Sequence, residues 1–535
     1  MTSSIPSGPV RDGSGQPDPG RPWLSRRQVL LLAGAGAGVV GLGAGTAAVL
    51  GTGSSPAAAS DRIAPTDPEV RAAERARETT GQVTSVALMA AAGTLDLAGR
   101  SRQTRLYNGG VGQEIRLTAG DELRARLTNR LDSPTTVHWH GLALRNDMDG
   151  VPDVTAPAIA PGTSFEYRFI APDPGTYWFH PHVGAQLDTG MIGALIVEDP
   201  NEPLGYDDDV TLVFDDWLDG VTSTPDQTLE DLRANGMSND SMVDMDMDMS
   251  SMEPTADGMG ISRRQPLGQD TGDVTYPLHL VNGRPAADPF RIRARPGQRL
   301  RLRLINAGAD TAYEFSVGGH RLQVVASDGF PVEPVIVDSL VLGMGERFDV
   351  LVEVGDGAFP VVAVPVGKRG APAFAVLRTG GGTSPGPVRP QRGGRRLNYR
   401  DLVPEASVRM PARQPDRTLT VDLTMEDGGR AWSINGTRFP DHEPLDLRQG
   451  ERVRLEFVNR TMMFHPMHVH GHTFGLVGYG ADQGIAGLRK DTVNVLPMQR
   501  LAVDFDADNP GQWLTHCHNA YHGEMGMMTV LSYVR

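Results

Sequence analysis

Hydrophobic and polar residues alternate, one after another, along three long stretches of the chain. The first contains QEIRLTAGDELRARLTN, TSFEYRFIAPDPGTYWFHPH and GMIGALIVED, the second FRIRARPGQRLRLRLINAG, HRLQVVASDG and ERFDVLVEVG, and the third LDLRQGERVRLEFVNRT, HTFGLVGYG and QRLAVDFDADNPGQWLTHCH. A repeat of two residues is the spacing at which side chains share one face of a β-strand. Because no sustained helical repeat accompanies it, the pattern predicts an all-β protein.

The three stretches follow one plan. Each has a strand of the form G-(D/Q/E)-x-(L/V)-R-x-x-(L/F), present as GDELRARL, GQRLRLRL and GERVRLEF, and each closes with a strand that runs into a loop. Tandem copies of a β-unit longer than a hundred residues predict β-sandwich domains in series. We expect them at residues 82–205, 206–380 and 416–535, with a Gly/Pro/Arg-rich linker at 381–415.

The first 60 residues have the composition of a targeting segment. Arg26 and Arg27 precede a run from Val29 to Gly51 that has no charge, and small residues suited to cleavage follow in SSPAAAS. The pattern predicts a twin-arginine export signal with its lead-in, recognised by the twin-arginine export machinery. The protein would then work outside the cytoplasm, in the periplasm, at the cell surface or in the medium. The other interpretation is a transmembrane helix, since the run is long enough to span a bilayer.

The charge and the cysteine count argue against some classes of protein. The formal net charge of −15 disfavours nucleic acid as a partner, because a phosphate backbone would be repelled. The chain has a single cysteine, so an internal disulfide is excluded and stability must come from packing and bound metal.

Histidines are concentrated in four short motifs, which hold ten of the fourteen in the chain. These motifs are HWHG (His138, His140), HPH (His180, His182), HPMHVH (His465, His468, His470) and HCHNAYH (His516, His518, His522). Imidazole is the commonest transition-metal ligand, and an i, i+2 spacing puts both rings on one face of a strand. Pairs from separate strands can converge on one metal cluster. The alternative, that each pair is simply two solvent-facing rings on a strand, does not explain four such motifs in one chain.

Cys517 lies between two of these histidines. On an extended segment His516 and His518 point to one side and Cys517 to the other, so the thiolate and its neighbours can bind different metals. A thiolate with two imidazoles and a weak axial methionine is typical of a blue copper centre that transfers electrons. His522 and Met527 follow at intervals of five residues, which lets one loop return to the same metal.

Together these motifs resemble all four copper-binding motifs of the multicopper oxidase family, of the three-domain type that includes bacterial laccase-like enzymes and cuprous oxidases. The resemblance covers the chain from about residue 82 and implies cupredoxin-like Greek-key sandwiches that hold four copper ions. It implies that the type 1 copper is bound by His465, Cys517, His522 and axial Met527, the type 2 copper by His138 and His468, and the type 3 pair by His140, His180, His182, His470, His516 and His518. The middle domain would supply no ligand and act as a spacer.

The chemistry that the resemblance implies is the oxidation of four substrate molecules, one electron at a time, coupled to reduction of O2 to water. Asp149 stands where the family carries a carboxylate that assists oxygen reduction. A second acid often follows the last type 1 histidine directly. That position is Gly523 here, so the role of Glu524, one residue further on, stays open. Axial Met527 implies a lower potential than leucine or phenylalanine would give.

The substrate is indicated by methionines. Residues 237–260 hold seven of the 21 methionines, interleaved with aspartates, and thioether sulfur prefers Cu(I). Bacterial cuprous oxidases are similar in carrying methionine-rich segments and a methionine at the position of Met463, although they have an aspartate where this chain has Thr461. The substrate-binding residues predicted on this basis are Met463, Met242, Met245, Met247 and Met249. A spacer enriched in methionine is the other interpretation of the segment.

Three functional hypotheses follow. The preferred one is an exported cuprous oxidase that protects the cell from copper. The second is a laccase-like oxidase of small phenols and aromatic amines, and the third is a copper-sequestering protein without oxidase activity. A monomer is expected, because relatives with three such domains are commonly monomers.

Overall fold

A computed structural model describes residues 61–236, 252–253, 261–262, 265–381, 383–389, 394–479 and 487–535. The predicted export signal and the predicted substrate methionines Met242, Met245, Met247 and Met249 lie outside these ranges. Within them, no helix has both the length and the apolar character that a membrane span requires.

The first β-sandwich is formed by two mixed sheets, in the orders β2-β1-β4-β6 and β3-β8-β7-β5. Side chains from both sheets share one core, in which Trp139, Tyr167 and Phe179 are fully buried or nearly so. Its strands are β1 (Val83–Asp96), β2 (Ser101–Tyr107), β3 (Gln113–Thr118), β4 (Glu122–Asn129), β5 (His138–His140), β6 (Ser164–Ile170), β7 (Gly175–His180) and β8 (Gly193–Glu198).

The second sandwich has sheets in the orders β13-β12-β9-β15-β20-β17-β18 and β14-β22-β21-β16-β19. Its strands are β9 (Asp208–Trp217), β12 (Leu278–Val281), β13 (Arg284–Pro285), β14 (Phe290–Arg293), β15 (Arg299–Asn306), β16 (Tyr313–Val317), β17 (Leu322–Ser327), β18 (Phe330–Val337), β19 (Leu340–Leu342), β20 (Arg347–Glu353), β21 (Ala358–Pro365) and β22 (Ala373–Arg378). A separate antiparallel pair is formed by β10 (Met252–Glu253) and β11 (Ile261–Ser262).

The third sandwich has sheets in the orders β24-β23-β26-β31-β28-β29 and β25-β33-β32-β27-β30. Its strands are β23 (Arg417–Glu426), β24 (Ala431–Ile434), β25 (Leu445–Leu447), β26 (Arg452–Asn459), β27 (His465–Val469), β28 (Phe474–Tyr479), β29 (Leu488–Lys490), β30 (Thr492–Val495), β31 (Arg500–Asp506), β32 (Gln512–Cys517) and β33 (Met528–Tyr533).

One strand-pairing pattern recurs in all three sandwiches. Each combines antiparallel neighbours with two parallel pairs, one in each sheet: β1 with β4 and β3 with β8, then β9 with β15 and β14 with β22, then β23 with β26 and β25 with β33. A parallel pair needs a crossover connection, which is what distinguishes this arrangement from a simple meander. The prediction of three repeated all-β sandwiches is confirmed, while the domain boundaries given above stay a prediction.

Within the described ranges, helices are few and short. The α-helices are α1 (Pro68–Arg75), α2 (Pro225–Asn235) and α3 (Ala520–Glu524), and 3-10 turns lie at Asn146–Met148, Gly184–Asp188 and Tyr399–Asp401. α2 begins with a capping box in which Thr224 and Gln227 satisfy each other's backbone N–H groups. α3 is a single turn after β32 and carries His522.

Two antiparallel strand pairs bring the histidine motifs together. In the first sandwich β5 pairs with β7, so that His138 lies opposite His180. In the third sandwich β27 pairs with β32, so that His468 lies opposite His516 and Met467 lies opposite Cys517. Facing residues in such a pair are about 5 Å apart, and neighbours along a strand point to opposite faces. The register therefore places Cys517 on one side of β32 and its flanking histidines on the other.

Candidate metal centre

The clustered histidines form compact donor groups, as the sequence predicted. In each group one ligand atom per residue lies within 4.8 Å of the others. The histidine groups are His138, His140 and His468, then His140, His180 and His518, then His182, His470 and His516. Eight histidines from four motifs therefore share one site, with members from both the first and the third sandwich.

Ring stacking joins the two sandwiches at this site. The ring of His138 stacks on that of His470 and the ring of His140 on that of His468, each with centroids 3.8 Å apart. The first member of each pair lies on β5 and the second is on or directly after β27. The eight-histidine site exists only where these two sandwiches meet.

The donor atoms suit a transition metal. Six of the eight histidines have a buried ring nitrogen without a hydrogen-bond partner in the protein: His138, His140, His180, His182, His468 and His518. Leaving so many polar atoms unpaired is costly in a protein interior unless something else binds them. Burial, reinforced by neighbouring imidazoles, lowers the pKa of His140, His180, His182, His468, His470, His516 and His518. These rings are therefore neutral and present lone pairs, so the site fits a cluster of metal ions.

The outward nitrogens of several rings are fixed by the protein. The Nδ1 atom of His138 lies 3.1 Å from the backbone oxygen of Asp149, and that of His468 lies 3.0 Å from the backbone oxygen of Asp491. The Asp149 carboxylate is 2.9 Å from Nδ1 of His470. Such contacts select the tautomer that turns the opposite nitrogen towards the metal. Asp149 is fully buried, as expected of a carboxylate that belongs to the site.

A second donor group surrounds the only cysteine. The sulfur of Cys517 lies 3.6 Å from Nδ1 of His465 and 3.6 Å from Nδ1 of His522, and the two nitrogens are 3.2 Å apart. All three residues are fully buried. The thiol therefore lies in a different donor group from His516 and His518, while the binding of different metals by the two groups stays a prediction.

Two further residues contact the Nε2 atoms of the histidines in this second group. Thr461 Oγ1 is 2.8 Å from Nε2 of His465, and Asp273 Oδ2 is 3.0 Å from Nε2 of His522. Burial lowers the pKa of His522, but hydrogen bonds to Asp273 and Cys517 outweigh burial and raise that pKa to about 10. A pocket that favours the charged form of this ring also favours a metal cation. Trp432 stacks on the same ring at 3.9 Å.

Backbone hydrogen bonds tie Met527, the predicted axial residue, to two members of this group. Met527 is fully buried, its N–H donates to the His522 carbonyl at 2.9 Å, and its carbonyl accepts from the Cys517 N–H at 3.1 Å. These bonds fold the loop so that Met527 returns to the cysteine. Its role as a ligand stays a prediction.

Glu524 lies beside the eight-histidine site, although Gly523 occupies the position that directly follows His522. Glu524 lines a cavity of about 30 Å³ together with His180, His182, His516, Cys517 and His518. This volume is enough for one or two water molecules. Glu524 also lines a surface pocket of about 510 Å³ whose other lining residues include Arg233, Arg438 and Phe439. Burial raises the pKa of Glu524, which favours the protonated acid.

Met463, the predicted substrate contact, is 2% exposed, whereas its neighbour Met462 is 54% exposed. Met463 forms an isolated bridge with Asp270, three residues before Asp273. Sequence reasoning missed Met462, Asp270 and Asp273. Only the adjacency of two methionines in TMMFHPMH could have indicated the first of them.

The remaining four histidines lie in none of these donor groups. His472 contacts the Tyr533 hydroxyl at 2.7 Å, and His279 contacts the Tyr313 hydroxyl at 2.8 Å. His320 accepts from a backbone N–H, and His442 stacks on Phe439. These contacts give the four rings partners within the protein, so a structural role is the simplest interpretation of each.

Comparison with known proteins identifies three consecutive matches to multicopper oxidase family models, at residues 90–202, 208–382 and 409–534. A curated relative, multicopper oxidase MmcO of Mycobacterium tuberculosis, is 43% identical over 87% of this chain and 90% of its own length. Copper resistance protein A of Escherichia coli is 28% identical over 81% of this chain and 90% of its own length. Among solved structures, the laccase from Botrytis aclada aligns with a TM-score of 0.71 and 25% identity, covering 86% of this chain and 88% of that one.

Proposed function

The chain belongs to the multicopper oxidase family, whose members are oxidoreductases with copper as cofactor, and we propose that its physiological reductant is Cu(I). The oxidase would lower the concentration of the more toxic copper ion outside the cytoplasm. Support comes from relatives named copper resistance proteins and from the carboxylates and thioethers near His465 and His522. Export by the twin-arginine route stays part of this proposal.

Each of the two donor groups would serve one part of the reaction, the group around Cys517 the oxidation of the reductant and the eight-histidine site the reduction of O2. His465, Cys517, His522 and Met527 would hold the type 1 copper, His138 and His468 the type 2 copper, and the type 3 pair would be bound by His140, His180, His518, His182, His470 and His516. When bound, the coppers supply the single-electron transfers and the reduction of O2. Cys517 shares its backbone with His516 and His518, so the protein itself provides a short covalent route between the groups.

The Cu(I) proposal requires electrons to enter at the group that contains His522. The observation that carries it is the contact between Asp273 and Nε2 of His522. Asp273 has one carboxylate oxygen without a partner, and Asp270 lies three residues before it. Carboxylates attract a cation, and the thioethers of Met462 and Met463 are soft ligands for Cu(I). A cationic reductant that reached these groups would be one residue away from the type 1 ligand.

Replacing Met463 with alanine is expected to raise the KM for Cu(I) about tenfold, which corresponds to a loss of ~1.4 kcal/mol of ligand binding. The KM for a phenol such as 2,6-dimethoxyphenol should stay within twofold of wild type, because no soft ligand is needed for it. Steady-state oxygen uptake with each reductant measures both values.

The matched control for this experiment is Met425→Ala, which removes an exposed methionine from β23, outside the donor groups. A second arm deletes residues 237–260, which removes Met242, Met245, Met247 and Met249. Unchanged Cu(I) kinetics in both the deletion and Met463→Ala would contradict Cu(I) as the physiological reductant.

Proton delivery is assigned to Glu524 in this proposal. Its side chain borders both the surface pocket and the cavity beside the histidines, and burial raises its pKa. A carboxyl group whose protonated form is favoured by burial can donate a proton into the cavity and take another from the solvent side.

The Glu524→Gln variant is expected to lower kcat about 10²-fold at saturating reductant, within the range for loss of a positioned acid. The KM for the reductant should not change, because the type 1 ligands are untouched. Oxygen uptake under saturating Cu(I) gives the rate, and Glu426→Gln, near Arg438 on the protein surface, is the control. A normal kcat in Glu524→Gln would exclude the assignment.

A laccase-like activity is the second candidate. The surface pocket of about 510 Å³ next to the loop of His522 has a mixed lining that suits a polar aromatic reductant: Phe439, Met525, Thr437, three arginines and the acidic residues Asp441 and Glu524. Comparable kcat/KM values for Cu(I) and phenols would favour this function over the first.

A further inference from the structure

The second sandwich supplies no donor to any of the metal-binding groups found in the described residues, and the sequence predicted only a spacer role for it. Its segment 343–346, between β19 and β20, nevertheless reaches the histidines. Gly345 has φ +86°, and a Cβ atom on it would lie 2.9 Å from Cδ2 of His518 and 3.0 Å from Cε1 of His140. The segment therefore packs between one ring from the first sandwich and one from the third.

Arg347 connects all three sandwiches behind this contact. It is fully buried and starts β20 of the second sandwich. Its Nε donates to the Thr176 carbonyl at 3.1 Å, on the strand that ends at His180. Its two terminal nitrogens donate to the two carboxylate oxygens of Asp491, at 2.7 and 2.6 Å. A bidentate pair of this kind fixes direction as well as distance.

Asp491 and its neighbour contact the stacked pair of His140 and His468. Asp491 Oδ1 lies 3.2 Å from Nε2 of His140 and accepts from Thr492 Oγ1 at 2.8 Å. That hydroxyl is 3.1 Å from Nε2 of His140 and 3.1 Å from Nδ1 of His468. The nitrogens left without partners are Nδ1 of His140 and Nε2 of His468, which are the ones available to metal.

The glycine of HWHG makes room for the guanidinium group. Gly141 has φ +91°, and a Cβ atom there would lie 2.4 Å from Nη2 of Arg347 and 2.8 Å from Oδ2 of Asp491. Any larger residue directly after His140 would displace the arginine. The HWHG motif thus contains the ligand His140 and, at Gly141, the space that Arg347 needs to orient it.

We propose that Arg347 is a positioning residue of the eight-histidine site, which acts through Asp491 to hold the rings of His140 and His468 in their ligand orientation. The second sandwich would then help to orient the ligands of the oxygen-reducing centre. The inference rests on the proposed ligand assignment, and it predicts a defect confined to that centre.

The test compares Arg347→Lys and Arg347→Met with wild-type enzyme loaded with copper. Both variants are expected to keep the blue type 1 absorption, to show altered type 2 electron paramagnetic resonance and weakened type 3 absorption, and to lose turnover about 10- to 100-fold, as when the support of a metal ligand is removed. Arg347→Lys keeps the charge but lacks the planar fork, so a partial recovery of the signals is expected from it.

The control is Arg301→Met on the neighbouring strand β15. Arg301 is also buried, and its Nη2 donates to Asp349 at 2.6 Å, and neither residue belongs to a donor group. Loss of either ion pair lowers thermal stability, but only Arg347→Met should alter the type 2 and type 3 signals. Native signals in Arg347→Met, or equal changes in Arg301→Met, would overturn the proposal.

A crystal structure of metal-free Arg347→Met gives a readout that does not depend on copper loading. The rings of His140 and His468 should leave the stacked arrangement seen at 3.8 Å, and unchanged rings would contradict the inference even if the wild-type copper assignment failed. If that variant does not fold, Gly345→Ala takes its place. Its added methyl group should disturb the type 3 signals and spare the type 1 absorption, and native type 3 signals would count against the positioning role.

Discussion

The Cys517→Ser variant is expected to lose its blue colour and its reductant oxidation completely, while still binding copper at the eight-histidine site. The buried sulfur is 3.6 Å from the Nδ1 atoms of His465 and His522, and a serine hydroxyl at neutral pH is no substitute for a thiolate. Oxygen consumption should fall at least ~1,000-fold, equivalent to a barrier higher by about 4 kcal/mol, because the route for electrons is cut. Absorption spectra, copper content and oxygen uptake measure the three effects.

Because Cys517 is the only cysteine in the chain, no other thiol can replace it. Thr420→Ser, a substitution on β23 outside the donor groups, is the control and should stay blue. A Cys517→Ser protein that keeps its colour or oxidises reductant would show that electrons enter elsewhere.

Substitution of Asp149 should slow the other half of the cycle. Its carboxylate lies 2.9 Å from Nδ1 of His470, and its backbone oxygen lies 3.1 Å from Nδ1 of His138. Asp149→Asn keeps the shape but removes the proton-accepting oxygen, so reoxidation by O2 should slow by about 10²–10⁴-fold. Asp149→Ala should in addition lower copper affinity about 10- to 100-fold, because a support of His470 is lost.

Stopped-flow absorption separates the two half-reactions. Bleaching of the blue band by reductant should proceed at the wild-type rate in Asp149→Asn, whereas recovery of the band on mixing with O2 should be slow. Asp147→Asn is the control, since that carboxylate binds Arg145 on the same loop. Slow bleaching with normal recovery would assign Asp149 to electron entry instead.

Much of this architecture could be predicted from local sequence alone. The two-residue repeat predicted the strands, the recurring glycine-initiated strand motif predicted three sandwiches, and the alternation of side chains placed Cys517 opposite His516 and His518. These features depend on neighbours within one strand, where geometry follows directly from the order of residues.

The contacts that surround the ligands could not be predicted in this way. Asp273 meets His522 across 249 residues, and Arg347 meets Asp491 across 144. Such pairs depend on how loops from different sandwiches pack, and nothing in the periodicity of either segment records its partner. The depth of Met463 was missed for the same reason, since burial of a loop residue is set by what lies over it.

The location of the donors on either side of the second sandwich has a consequence for biosynthesis. Half of the imidazoles, from His138 to His182, leave the ribosome well before their partners between His468 and His518 have been translated. A nascent chain thus lacks a complete eight-histidine site, however much copper surrounds it. An incomplete polypeptide therefore cannot hold the full set of metal ions, which can be bound only after the third sandwich has been translated.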